Sequence, residues 1–261
     1  MEILNRRISL DTFFTALKSA KHRILMLDYD GTLSPFTEDR DNALPYPDVK
    51  SILEEIISQG NTRLIIISGR PINVLKNLLG LKHLPEMWGS HGAERYSQKE
   101  GYTAIQYAEF TRNFLSSVIK WAKENNLDDS LEIKPFGIAF HWRGASDIKK
   151  NEIETIVEAA WNNRLAEHDL EFKKFDGGIE IRHNKINKGS AVSEIMKEYK
   201  DDYVAAYLGD DYTDEDAFNT LGNKGLKILI GKVPRLTAAD IILSPPEELL
   251  DFLGRWSKST A

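Results

Sequence analysis

The sequence predicts an α/β protein: a doubly wound parallel sheet as the core, with a smaller α+β unit inserted into it. Three observations carry this. Short apolar runs, RILMLD (23–28), RLIIISGR (63–70) and YVAAYLGDD (203–211), each end in polar residues. Segments of helical periodicity separate them. Between the two halves, residues 107–183 have a different texture, helix, hairpin, helix, hairpin. Strands buried on both faces read as unbroken apolar runs, because helices cover a parallel sheet on each side.

SLDTFFTALKSA (9–20) reads as a short helix capped by Ser9 or Asp11. RILMLD is too short for a helix and fits a buried strand. PDVKSILEEIISQ (47–59) has helical spacing and stops at Gly60; RLIIISGR is the next strand; PINVLKNLLG (71–80) is a helix opened by proline and closed by glycine. The grammar returns with a helix at 188–199, a strand at 203–211, a helix at 214–221 and strands at 225–231 and 240–244. In the insert, 109–126 and 146–168 read as helices, 131–143 as two strands bent at Pro135 and Gly137, and 170–183 as a hairpin with Asp-Gly-Gly at its turn. The expected division is a core of 1–106 with 184–261, and an insert of 107–183.

The bulk numbers narrow the function. The chain has 261 residues, 41% of them hydrophobic and 28% charged, enough for a large domain with an insert. A net charge of −6 argues against nucleic acid as the partner. With no cysteine there is neither a disulfide framework nor a thiolate metal site, in keeping with a cytoplasmic address. No apolar run approaches the roughly 20 residues that span a bilayer, so no membrane partner is expected. MEILNRRISLDTFF lacks the apolar centre of a signal peptide.

Ligands of open parallel sheets bind beyond the carboxyl ends of the strands. Three predicted strands end there in Asp28, Ser68 and Asp210. Strand alternation points Asp28 and Asp30 to one side and Tyr29 to the other. Two adjacent carboxylates repel unless they share a proton or a cation. Without cysteine, and with further acids at GDD (209–211), a hard oxygen-binding cation is the natural neutraliser. Magnesium suits a site of few carboxylates, water and a substrate phosphate. Taken alone, an Asp at a strand end is more often a helix cap or a turn residue.

The motifs together resemble the haloacid dehalogenase-like phosphatases, a Rossmann-like superfamily. D-x-D-G-T stands at Asp28–Thr32, the second-motif Ser at Ser68, the third-motif Lys at Lys188, and the acidic cluster at GDDYTDED (209–216). The resemblance implies that Asp28 attacks phosphorus and forms an aspartyl-phosphate. It gives Asp30 the proton delivered to the leaving alcohol and then taken from water. Ser68 would donate to a phosphate oxygen, and Lys188 would offset the charge of nucleophile and phosphate. The Asp28 carboxylate, the Asp30 carbonyl and Asp210 would hold magnesium. Gly31 would let the backbone approach the phosphate, with Thr32 and Arg70 as further support; Arg70 could equally pair with a nearby acid. Asp214, or failing it Asp211, would hold the metal's surroundings or Lys188.

Within that superfamily the chain is similar to the trehalose-6-phosphate phosphatases over roughly residues 10–253. LDYDGTLSPF, ISGR (67–70), GSHGAE (89–94), E-x-K at Glu132 and Lys134, H-W-R at 141–143, E-I-R at 180–182 and GDDYTDEDAF carry the likeness. It implies a magnesium-dependent phosphatase acting on trehalose 6-phosphate, with a synthase, if one partners it, as a separate chain. The insert would act as a lid that selects the sugar and excludes water. Glu132, Lys134, Arg143, Glu180 and Arg182 are its candidate sugar-binding residues, although charged residues on a small sheet are usually just solvated. His91 and Glu94 are expected to shape the cleft edge, and Trp88, Trp142 and Trp161 to pack. His183 stands where the family commonly has proline after E-x-R, which removes a stiffener from the return to the core. The alternatives are a phosphatase for sucrose phosphate or for mannosyl- or glucosyl-phosphoglycerate, a phosphosugar mutase, or a non-catalytic sugar-phosphate sensor.

Overall fold

A computed structural model describes residues 1–37, 42–142, 144–175, 177–231 and 235–261. The chain forms two units, Met1–Ala104 with Asn187–Ala261, and Ile105–Ile186.

The larger unit runs β1 (Glu2–Ile3), α1 (Leu10–Ser19), β2 (His22–Leu27), α2 (Val49–Gln59), β3 (Arg63–Ile67), α3 (Ile72–Leu79), β4 (Glu86–Gly89), β5 (Glu94–Ser97) and β6 (Gly101–Ala104). The inserted unit follows with α4 (Glu109–Glu124), β7 (Leu131–Lys134), β8 (Gly137–His141), α5 (Asp147–Leu165), β9 (Leu170–Phe175) and β10 (Gly178–His183). The chain then returns through α6 (Lys188–Lys197), β11 (Tyr203–Gly209), α7 (Glu215–Leu221), β12 (Leu226–Ile230), β13 (Ile241–Leu243) and α8 (Glu247–Thr260).

The core sheet has the order β1-β13-β12-β11-β2-β3-β4-β5-β6. From β13 to β4 all neighbours are parallel; β1, β5 and β6 extend the edges antiparallel. Alternation along β2 sorts its side chains into two cores. Leu25, Leu27 and Tyr29 join the cluster that includes residues of α1, α2, α3 and α8, while Ile24 and Met26 join the one built with α6 and α7. Asp28 therefore continues the Ile24–Met26 face, and Tyr29 turns away into the opposite core, as alternation requires.

Several boundaries differ from the expected ones. The strand read over 63–70 stops at Ile67, where Ser68 begins the turn into α3. The helix read from 47 starts at Val49, because Asp48 is held at φ 69°, outside helical space. The antiparallel edges β1, β5 and β6 and the closing helix α8 escaped the sequence reading. ERYS and GYTA are short and half-exposed, with none of the apolar continuity that marks a buried strand.

In the inserted unit, β7-β8-β10-β9 form an antiparallel sheet. One face packs Ile138, Phe140, Ile179 and Ile181 against Phe114 and Val118 of α4 and Ile153, Val157 and Trp161 of α5. Trp142 and Trp161 lie in this core and Trp88 in the larger unit's, as packing residues. The turn between β9 and β10 includes Asp176, outside the described residues.

Candidate active site

The carboxyl ends of β2 and β11, neighbours in the sheet, carry the two acidic motifs. The ladder continues one step past β2, with Asp28 N–H donating to Leu208 O at 2.9 Å. The Tyr29 carbonyl then accepts from the N–H groups of Thr32, Leu33 and Ser34, which folds D-x-D-G-T into a tight turn. Gly31 sits at φ 73°, and a Cβ there would lie 1.9 Å from Asp210 Oδ2. Only glycine allows the two motifs to meet so closely. The close approach seen for Gly31 is thus to Asp210.

Lys188, the first residue of α6, is held in position by the Asn187 capping box. Its Nζ lies 2.7 Å from Asp28 Oδ1 and 2.8 Å from Asp214 Oδ1, and all three side chains are at most 4% exposed. Thr32 Oγ1 donates to the other Asp28 oxygen at 3.3 Å. The Asp214 side chain makes no cap hydrogen bond to the helix that follows. Its Oδ1 also accepts from the Tyr207 hydroxyl at 2.6 Å, and its Oδ2 accepts from the backbone N–H groups of Asp210 and Asp211 at 3.2 and 3.0 Å. Asp211 caps the short turn at Tyr212–Asp214. Between the two, it is Asp214 that meets Lys188.

Electrostatics marks the same spot. Burial pushes the Asp28 carboxyl up to about 7, against the pull of Lys188 and with help from Asp214. Burial, then the nearby Asp28 and Asp214, pushes Asp210 up to about 9. Lys188 is raised by its two carboxylate partners in spite of burial. One lysine does not balance three clustered carboxylates. Asp28, Asp210 and Asp214 each offer an oxygen within 4.8 Å of the others, so a divalent cation fits. Because both Asp214 oxygens already accept two hydrogen bonds each, Asp28 and Asp210 are its best carboxylate ligands.

Asp30 is held differently. Arg70, itself 7% exposed, donates from Nε and Nη2 to the two Asp30 oxygens at 2.7 and 2.6 Å. Of the two roles open to Arg70, the structure displays the pairing with an acid. Ser68 is 1% exposed; its carbonyl accepts from His91 N–H and its hydroxyl from Arg70 N–H. His91, at φ 59°, lays its ring against Gly69. Glu94 accepts from Ile72 N–H, Ser90 Oγ and Tyr102 Oη, tying the loop after β4 to the start of α3.

Two residues at this site gave no sequence signal strong enough to single them out. Tyr207 is one of two tyrosines in an otherwise apolar strand, two places before Gly209; alternation with Ala205 was the available hint. Arg235 donates to the carbonyls of Asp210 and Asp211 at 3.4 and 2.8 Å, pairs with Glu215 and stacks over the Tyr212 ring. Its distance of 24 residues from Asp211 hides that role.

In the inserted unit the face opposite the helices carries Glu132, Lys134, His141, Glu171, Lys173, Glu180 and Arg182 around Gly137, Ala139 and Gly178. Lys134 pairs with Glu180 at 2.9 Å, Glu132 with His141 at 2.6 Å, and Arg182 with Glu171 at 3.0 Å. Arg143 lies outside the described residues. His183 extends β10 opposite Leu170, accepts from Lys185 N–H at 3.1 Å and stacks on Tyr107.

A parallel sheet that brings D-x-D-G-T, a buried lysine and an acidic loop together at neighbouring strand ends defines a haloacid dehalogenase-like phosphatase. The model of the trehalose-phosphatase family matches residues 26–242, and the chain belongs to that family. Trehalose-phosphate phosphatase B of Arabidopsis thaliana is 28% identical over 97% of this chain and 72% of its own length. The trehalose-phosphatase of Schizosaccharomyces pombe is 28% identical over 90% of this chain, which spans 30% of that longer protein. The C-terminal domain of C. albicans trehalose-6-phosphate phosphatase has the same fold, with a TM-score of 0.77 at 23% identity over 99% of each chain. No described helix is long and apolar enough to cross a membrane.

Proposed function

We propose that the protein hydrolyses the phosphate monoester of trehalose 6-phosphate to trehalose and phosphate, with Mg2+ as cofactor. The observation that carries the chemistry is the buried Asp28–Lys188–Asp214 chain beside Asp210. A structural salt bridge would have no use for three carboxylates around one lysine. Family membership and the named activities of the Arabidopsis and S. pombe relatives support the sugar.

In this reading an Asp28 oxygen attacks phosphorus and the bond from phosphorus to the sugar oxygen breaks. Asp30 gives its proton to the departing oxygen, so that no free alkoxide forms. Water, losing a proton to Asp30, then attacks the aspartyl-phosphate; phosphate leaves and the Asp28 carboxylate returns. Asp30 must first turn away from Arg70, which occupies both of its oxygens. Lys188 holds positive charge against Asp28 throughout, and Ser68 donates to a phosphate oxygen. Mg2+, held by Asp28, Asp210 and the Asp30 carbonyl, would supply charge neutralisation for the phosphoryl group. Gly31 and Thr32 keep the turn, and Asp211 caps the acidic loop.

We assign the sugar hydroxyls to Glu132, Lys134 and Glu180 of the inserted unit, with Arg182 and Arg143 as further candidates. Rows of charge around a floor of Gly137 and Ala139 leave room for a polar ligand, and a site built to pair hydroxyls rejects substrates lacking them. A panel assay tests the function. Phosphate release from trehalose 6-phosphate is compared with release from sucrose 6-phosphate, glucose 6-phosphate and mannosyl-phosphoglycerate. The disaccharide of trehalose should exceed the others by at least about tenfold in kcat/KM. A higher value for any other sugar overturns the assignment, and phosphate transfer without release points to a mutase.

A further inference from the structure

Tyr207 touches the buried Asp28–Lys188–Asp214 cluster through Asp214, yet the chemistry above gives it no part. It is fully buried on β11, and its ring packs edge-on against Phe218 at 5.6 Å, a contact that phenylalanine would make equally well. Ala205, Ala206 and Leu208 around it in the strand are apolar. Its hydroxyl donates to Asp214 Oδ1 at 2.6 Å, the oxygen that also receives Lys188.

Asp214 is hydrogen-bonded to capacity. A carboxylate has about four acceptor positions, and here Tyr207, Lys188 and the N–H groups of Asp210 and Asp211 take them. Gly209 makes this possible, since a Cβ at that position would lie 2.3 Å from the Asp214 carboxyl carbon. Lys188 meanwhile stands nearly midway between two carboxylates, 2.7 Å from Asp28 and 2.8 Å from Asp214. In so dry a place a carboxylate with an empty acceptor position attracts a cation more strongly. Burial and the Asp214 charge both hold the phenol in its protonated, donating form.

We propose that Tyr207 is a positioning residue: its hydroxyl satisfies Asp214, so that Lys188 stays shared with Asp28 instead of being drawn onto Asp214. This rests on the reading of Asp28 as nucleophile. Lys188 then screens Asp28 from the incoming phosphate at the moment of attack, and Tyr207 acts on turnover without touching substrate or metal.

The test is Tyr207→Phe, assayed at saturating Mg2+ on p-nitrophenyl phosphate and on trehalose 6-phosphate, with circular dichroism to verify the fold. The expected result is a loss of about tenfold in kcat with KM within about twofold of wild type. In an Asp214→Asn background the same change should cost less than about twofold, since the group it acts on is gone. Placing 4-aminophenylalanine at position 207 restores a donor and should bring kcat back to within about threefold of wild type. Wild-type kcat in folded Tyr207→Phe overturns the proposal, as does an undiminished loss in the Asp214→Asn background. If Tyr207→Phe does not fold, the aminophenylalanine variant decides: near-wild-type kcat supports the donor role, and a rate as low as that of Asp214→Asn overturns it. Failure on trehalose 6-phosphate alone, with p-nitrophenyl phosphate still cleaved, refutes the sugar assignment and leaves the Tyr207 comparison intact.

Discussion

The two units handle charge in opposite ways. In the larger unit, Asp28, Lys188 and Asp214 are sealed from water and locked to one another. In the inserted unit, Glu132 and His141 pair with side chains 42% and 32% exposed, and Lys134 and Glu180 at 27% and 12%. The difference is energetic. A buried charge depends on its fixed partners, and removing one leaves the rest unscreened. A half-exposed pair gains little from being paired, so it can exchange its partner for a ligand hydroxyl at small cost. Reaction chemistry needs the first arrangement and adaptable recognition the second.

The sharpest way to break this contrast is at Asp28. Asp28→Asn should lower turnover by at least about 10^4-fold while the protein remains folded, because Asn keeps the shape and Lys188 keeps Asp214. Turnover near wild type on p-nitrophenyl phosphate would remove the nucleophile from this reading. Lys188→Met should cost about 10^2- to 10^3-fold in kcat. It should also cost about 3–5 kcal/mol of stability in urea unfolding at pH 8, since three acids lose their cation. An unchanged unfolding midpoint would mean that the cluster is not mutually dependent.

The metal offers a gentler probe. Asp28 and Asp210 have folded-state values of about 7 and about 9, above the 3.8 of a free aspartate. The metal-free native state therefore binds more protons than the unfolded state between these limits, and its stability falls as pH rises. The loss should run from about pH 4, where a free aspartate ionises, through pH 9. A cation that binds only the native site offsets it, so the rise in melting temperature on adding Mg2+ should be larger at pH 9 than at pH 6. An equal rise at both pH values would place the metal away from these two carboxylates. Chelation should stop hydrolysis, and calcium should not restore it fully.

The same contrast governs what could be read from the sequence. The buried site was legible because its chemistry requires particular residue types at strand ends, and apolar runs mark where those ends fall. Strand ends singled out Asp28, Ser68 and Asp210, and the motif resemblance supplied their expected roles. Tyr207 and Arg235 were hidden because each acts through another group, and the partner is fixed by tertiary contact. β5 and β6 were missed because half-exposed edge strands lack the burial that writes a pattern. On the inserted unit, the resemblance singled out Glu132, Lys134 and Glu180 on predicted strands, but sequence cannot tell a solvated charge from a binding one. Geometry adds their pairing with His141 and with each other.

The smallest expected effect is on that face. Lys134→Ala removes one side of the Lys134–Glu180 pair and empties space beside Gly137. Stability should change by less than about 1 kcal/mol, because the pair is partly solvated. KM for trehalose 6-phosphate should rise about tenfold, the worth of one well-placed polar contact, with kcat within about threefold. The KM for p-nitrophenyl phosphate, which has no sugar, should stay put. Parallel losses on both substrates would mean that Lys134 supports the fold or the phosphate site, and the division of labour between buried and half-exposed charge would fail at this residue. A change confined to the sugar substrate means that Lys134 exchanges Glu180 for a hydroxyl, which a partly solvated charge can do and a sealed one such as Lys188 cannot.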